Sequence, residues 1–237
     1  MMSTQVSMNQ NYKLNIMKIA IWNIDCPAYN STKLAQCKAY LEDEKCDLMI
    51  LTEVNSSLQF NNFNSCFSQK SPYIAKSKNY NKPNEYHQVG IYCKLPLKQI
   101  ESTEPINTLI CKIKLNNQNV LIYGNVITIK DQWAKWSDLK YKDRLDQQMT
   151  QIDKIIKHQC IIAGDFNFKY NSPMRKAGYM ALANSLEDSN VVWRTKKENR
   201  TVQQLIYSNT FKAAYKVIEV DKKVSDHPLI VAEVQLK

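Results

Sequence analysis

Apolar residues come in short blocks along this chain, and several of the blocks stop abruptly at a polar side chain. Lys18–Ile24 (KIAIWNI) and Asp47–Thr52 (DLMILT) predict buried strands, the second ending on Glu53. Further strands are predicted at Gln88–Cys93, Leu109–Leu115 and Val120–Ile127, the last two joined by Asn116 and Asn117. Cys160–Ala163 (CIIA) predicts another, running straight into Gly164-Asp165-Phe166-Asn167. Thr201–Tyr207, Tyr215–Val220 and Leu229–Val234 complete a strand-rich C-terminal part. Helical spacing is carried by Leu34, Cys37, Tyr40 and Leu41 behind a Ser31 cap. Trp136, Leu139, Leu145, Met149, Ile152, Ile155 and Ile156 predict one amphipathic helix of several turns. A third helix is predicted over Met174–Ser185, and the polar run Asn79–Glu85 reads as a loop.

Many short strands interleaved with a few helices predict one α+β domain over residues 18–237, with helices packed outside sheets. Residues 1–17 read as a flexible polar arm. Hydrophobic residues make up 44% and charged residues 23% of 237, ordinary globular usage that excludes a disordered chain. Lysine plus arginine exceed aspartate plus glutamate by 32 to 22, a net +10 that favours polyanionic partners. No apolar run approaches the roughly 20 residues of a membrane span, so no stable membrane association is expected. The seven cysteines are scattered and never spaced C-x-x-C. That argues against a disulfide framework or zinc site and for a reducing, cytoplasmic setting.

The polar residues where strands stop are the candidates for chemistry: Asn23, Glu53, Asp165, Asn167, Asp226 and His227. Singly, each has a plain structural reading. Glu53 can be a solvated strand end, Asp165 and Asn167 turn formers, Asn23 a hydrogen-bonded plug and Ser225-Asp226-His227-Pro228 a turn. Together, their order and spacing match one pattern. Ile21-Trp22-Asn23 resembles an S-W-N element, and Asp47 to Glu53 a D-x-x-x-L-Q-E element with Thr52 for the glutamine. Gly90-Ile91-Tyr92-Cys93-Lys94 resembles a G-V-A-I-x-S-K strand, Gly164 to Asn167 is G-D-F-N, and Ser225 to Pro228 fits S-D-H-x-P. The chain, from about Lys18 to Leu236, therefore resembles the endonuclease/exonuclease/phosphatase superfamily, whose fold is that of deoxyribonuclease I.

The resemblance implies a four-layer α/β sandwich, two facing, mostly antiparallel sheets flanked by helices, with the active site at one edge. It implies a divalent-metal-dependent phosphodiester hydrolase, foremost a nuclease on DNA or RNA. Glu53 is then the ligand of Mg²⁺ or Mn²⁺, with Asn23 close by and Asp226 either binding a second metal or holding its turn. Asp165 orients or deprotonates the attacking water, and Asn167 donates to the phosphate. His227 serves as base or, protonated, as phosphate donor. Tyr123 is the loosely aligned phosphate contact, with Asn125 or Thr128 as alternatives. Trp193, Arg194 and Arg200 lie where relatives place a nucleic-acid-facing loop. One departure stands out: Gln203 occupies the place of the aspartate that orients the histidine in R-I-D-x-I-x-x-S, unless Asp221 or Glu219 supplies that charge. A catalytically weakened nucleic-acid- or phosphate-binding member, or a small-molecule or inositol-phosphate phosphatase, are the alternatives. A monomer is expected.

Overall fold

A computed structural model of the chain describes residues 16–70, 86–129, 139–170 and 176–237. Residues 1–15 of the expected 1–17 arm, the Asn79–Glu85 loop, Trp136 and Met174 lie outside the described residues, while Ile16 and Met17 are already strand.

Two six-stranded sheets face each other. The first runs β11 (Phe211–Ile218), β12 (Leu229–Leu236), β1 (Ile16–Asn23), β2 (Leu48–Asn55), β4 (Tyr86–Cys93) and β3 (Asn64–Phe67). The second runs β5 (Lys98–Ile100), β6 (Thr108–Leu115), β7 (Gln118–Val126), β8 (Cys160–Asp165), β10 (Gln203–Ser208) and β9 (Val191–Trp193). The two orders are the same motif used twice. A hairpin leads to a parallel pair joined through a helix, followed by an antiparallel strand and a short edge strand. The parallel pairs are β1–β2 and β7–β8; every other pairing is antiparallel.

Strand residues of one parity fill the space between the sheets: Ile19, Ile21, Ile50 and Ile91 from the first, Ile113, Ile122, Ile161 and Leu205 from the second. The other parity is covered by helices. Helix α1 (Thr32–Asp43) lays Cys37 and Leu41 over Ala20, Trp22, Met49 and Leu51. Helices α2 (Tyr141–Ile155) and α3 (Lys176–Leu186) lay Leu145, Met149, Ile152 and Leu182 over Tyr123, Ile162 and Ile206. This is the four-layer α/β sandwich, and coverage of both sheet faces explains why the central strands read as nearly unbroken apolar runs.

Differences from the sequence reading have local causes. Helix α2 begins at Tyr141, after Lys140, which caps without a side-chain hydrogen bond. The short edge strands β3 and β5 carry polar residues, and β9 (Val-Val-Trp) is only three residues long; none of the three is predicted from the sequence. Strand β11 starts four residues before the predicted Tyr215 because Phe211 pairs with Leu236. Asn116 and Asn117 both take positive φ (48° and 65°), as a two-residue hairpin turn requires.

Candidate active site

Both parallel pairs end at one edge of the sandwich, where open α/β sheets place their ligands. Asn23 closes β1, and Asp165 closes β8. Near the end of β2 stands Glu53 at φ +52°, while the register to β4 continues unshifted on either side of it, Thr52 pairing with Val89 and Val54 with His87. The antiparallel neighbours start at the same edge, so Gln203 opens β10 opposite Asp165, and His227 lies just before β12.

The central contact joins the two sheets. Asn23 Nδ2 donates to Glu53 Oε1 (3.2 Å) and to Asp165 Oδ2 (2.8 Å), so one amide bridges two carboxylates from different sheets. Asn23 is 1% and Asp165 2% exposed, where an unpaired carboxylate would be costly. The Asn23 Oδ1 accepts from the Asp25 N–H (2.9 Å), and Asp165 Oδ1 accepts from the Asn167 N–H (2.8 Å). Asn167 sits at φ +56° and donates through Nδ2 to the Ile127 carbonyl (2.9 Å), while the Ile127 N–H donates to the Asp165 carbonyl (2.8 Å). Gly164 permits this crossing: a Cβ there would lie 2.1 Å from the Asn125 carbonyl oxygen, at φ +142°.

His227 is attached to the same frame through its backbone. Ser225 Oγ donates to the Asn23 carbonyl (2.7 Å) and accepts from the His227 N–H (3.0 Å); Trp22 Nε1 donates to the His227 carbonyl (2.8 Å). The His227 ring is partly exposed, with Nε2 3.3 Å from the largely exposed Asp226 carboxylate.

Other expected residues sit elsewhere. Gln203 makes no hydrogen bond to His227: its Oε1 accepts from the Thr201 hydroxyl, and its buried Nε2 has no partner. Tyr123 lies in the outer layer under α2, its hydroxyl near Thr108 and Asn125, because strand parity turns it away from the face that carries Asp165. Burial raises its hydroxyl well above the ordinary value. Trp193 packs against Tyr179 (5.2 Å between rings) and donates Nε1 to Gln204 Oε1 (2.9 Å), so it is part of the fold. Arg200 holds Glu198 with two hydrogen bonds (2.9 and 2.7 Å). Those bonds keep the Glu198 carboxyl down at about 2. Arg194 is exposed and lies over the Tyr215 ring (5.6 Å).

Sequence reasoning passed over three supports. Ser225 links His227 to Asn23 as described. Gln148 of α2 donates Nε2 to the Val126 carbonyl (2.8 Å) and accepts from the Thr128 N–H (2.9 Å), holding the end of β7 beside Asn167. Gln148 is fully buried on the apolar stripe of α2, between Leu145 and Ile152. Cys26 donates its thiol to Glu53 Oε2 (3.2 Å).

The donor set fits a hard cation. Among the described residues no three His, Cys, Asp or Glu side chains converge into a cage. Mg²⁺ needs only one or two carboxylates plus water. Glu53 and Asp165 flank one amide, and the hydroxyl oxygen of Thr52, beside Glu53 in the strand, is buried without a partner.

No curated protein matches this chain in sequence. Solved structures resemble it in fold. An endonuclease/exonuclease/phosphatase from Beutenbergia cavernae DSM 12333 superposes with a TM-score of 0.65 at 12% identity, covering 94% of this chain and 72% of that one. D. rerio TDP2 complexed with a single-strand DNA product gives 0.64 at 16% identity, with 93% and 99% covered. The endonuclease domain of TRAS1, a telomere-specific non-LTR retrotransposon, gives 0.61 at 15% identity over 93% and 99%. The family model for the endonuclease/exonuclease/phosphatase family matches residues 20–227, so this chain belongs to that family of hydrolases.

Proposed function

We propose that this chain is a divalent-metal-dependent phosphodiesterase whose substrate is nucleic acid. The observation that carries the reading is the Asn23 amide bridging Glu53 and Asp165 at the common strand edge. Two carboxylates held 3.2 and 2.8 Å from one buried amide are an arrangement for chemistry rather than for stability, because replacing such a buried polar cluster with apolar residues is often neutral or stabilising.

Glu53, with Asn23 beside it, would hold Mg²⁺ or Mn²⁺, and the cation supplies neutralisation of phosphate charge. Asp165, fixed by Asn23 and the Asn167 N–H, presents a carboxylate to orient and deprotonate a water. Asn167, in a left-handed turn beside it, would bring its side-chain amide, here on the Ile127 carbonyl, to the phosphate. His227, tied by its backbone to Trp22 and Ser225, keeps a partly exposed ring for proton transfer or phosphate contact. Gln203 shares the sheet face of Asp165, directly across the ladder, so it would act on that carboxylate instead of on His227.

Nucleic acid is favoured over a small phosphoester by the +10 net charge and by the exposed Arg194. The neighbour crystallised with a single-strand DNA product agrees with that choice. The test is hydrolysis of plasmid DNA, single-stranded DNA and RNA with Mg²⁺ or Mn²⁺, with and without chelator. Glu53→Gln should lower the rate by about 100-fold or more while leaving the fold intact. Turnover of phosphomonoesters with nucleic acids untouched would replace this reading by a phosphatase.

A further inference from the structure

The contact between Cys26 and Glu53 has no part in the roles assigned above. The chain leaving β1 continues to follow the end of β2: the Ile24 N–H donates to the Thr52 carbonyl (3.1 Å), and the Cys26 N–H to the Glu53 carbonyl (2.9 Å). To do so, Asp25 and Cys26 take φ of +50° and +46°, a left-handed path that disfavours side chains. Glycine would meet that backbone demand with less strain. What cysteine adds is a thiol 3.2 Å from Glu53 Oε2, while Asn23 Nδ2 stands 3.2 Å from Glu53 Oε1. Cys26 is 2% exposed, so the thiol is held against the carboxylate and not merely beside it. Glu53 is thus gripped at both oxygens by side chains three residues apart in sequence, and at its backbone by the second of them.

We propose that Cys26 is a positioning residue whose thiol fixes the Glu53 carboxylate in the orientation that receives the divalent cation. The inference rests on Glu53 being the metal ligand. A donor to a metal-binding carboxylate sets its rotamer before the metal arrives, and loss of such a partner typically weakens metal affinity by about 10–100-fold. A thiol is a weak donor, so about tenfold is expected here.

The experiment is Mn²⁺ binding to the full chain, followed by the electron paramagnetic resonance signal of free Mn²⁺, with metal-free melting curves as the fold control. Cys26→Gly, which suits the left-handed backbone, and Cys26→Ala, which keeps a Cβ, should each raise the Mn²⁺ dissociation constant by about tenfold. Cys26→Ser, which keeps a donor, should return it to within about threefold of the wild type. A merely structural role for Cys26 would show in the metal-free melting curves and would not make Mn²⁺ affinity follow the presence of a donor at this position. Wild-type affinity in both donor-free variants, or serine behaving like alanine, overturns the proposal. Glu53→Gln run alongside separates the two claims: it should abolish binding. If it binds Mn²⁺ as the wild type does, the metal assignment itself is overturned, and the Cys26 role with it.

Discussion

At the residue scale, the site depends on a few side chains whose backbones are held in uncommon conformations. Gly164 is the sharpest case, because a Cβ there would lie 2.1 Å from the Asn125 carbonyl oxygen, a backbone atom that cannot swing away. Gly164→Ala should therefore push β8 from β7 and cost about 2–4 kcal/mol, with Asp165 displaced as well. Urea denaturation and the rate of hydrolysis should fall together; a variant of wild-type stability would contradict the close approach. Trp22→Phe is milder. It removes the donor to the His227 carbonyl and should cost about 1 kcal/mol or somewhat more, since that carbonyl then loses its partner. Of the site, the residues legible without a structure were those whose types are chemically unusual at strand ends. Ser225, Gln148 and Cys26 were not, because serine at a turn, glutamine on a helix and a buried cysteine are all ordinary until their partners are seen.

At the element scale, the segment before β6 and helix α2 share a buried polar cluster. Burial pushes the Glu104 carboxyl up to about 7, against the hydrogen bonds it accepts from Asn107 and the charge of Arg144. Arg144 is itself 7% exposed, so this arginine is not on the solvated face of its helix. The folded chain thus binds the Glu104 proton more tightly than the unfolded chain, whose carboxyl titrates near 4.5. Stability from this group is complete below that value and is lost as pH rises through about 7. Glu104→Gln should remove the loss, gaining roughly 1–3 kcal/mol relative to wild type between pH 4 and pH 8. Denaturation midpoints of both proteins at the two pH values measure it, and an equal difference at both would show that Glu104 does not titrate in this window. The central strands were readable because both their faces are covered. The edge strands were not: β3 and β5 are half polar or more, and the three apolar residues of β9 are too few to show a period, so each is made only by its neighbour.

At the scale of the whole molecule, the +10 charge bears on how a substrate is met rather than on the fold. If the substrate is nucleic acid, affinity measured with Asp165→Asn, the variant expected to lose turnover, should fall about tenfold or more between 50 and 200 mM salt. Arg194→Ala should flatten that dependence. Arg200→Ala should act chiefly on stability, because its guanidinium already holds Glu198, which also accepts from the Tyr215 hydroxyl across the sandwich edge (3.3 Å). Salt-independent binding would point to a small enclosed phosphate ligand. Among the described residues no helix is long and apolar enough to cross a membrane.

What the linear chain determined by itself is the order of the central strands and of the polar residues that end them. Apolar runs of strand length name the central strands, and the polar residues that end them name Asn23, Glu53, Asp165, Asn167 and His227, since a side chain that stops an apolar run must be answered by a partner or a task. What only the tertiary structure decided is who answers whom. The amide of Asn23 meets Asp165 across 142 positions of sequence because two copies of one strand order end at a common edge. The same geometry turns Tyr123 to the outer layer by strand parity, gives the Gln203 carbonyl oxygen to Thr201, and brings the thiol of Cys26 onto Glu53. Local sequence carries propensity and period; which hydrogen-bonding groups are left facing one another is settled only when the sheets close and water is excluded from between them.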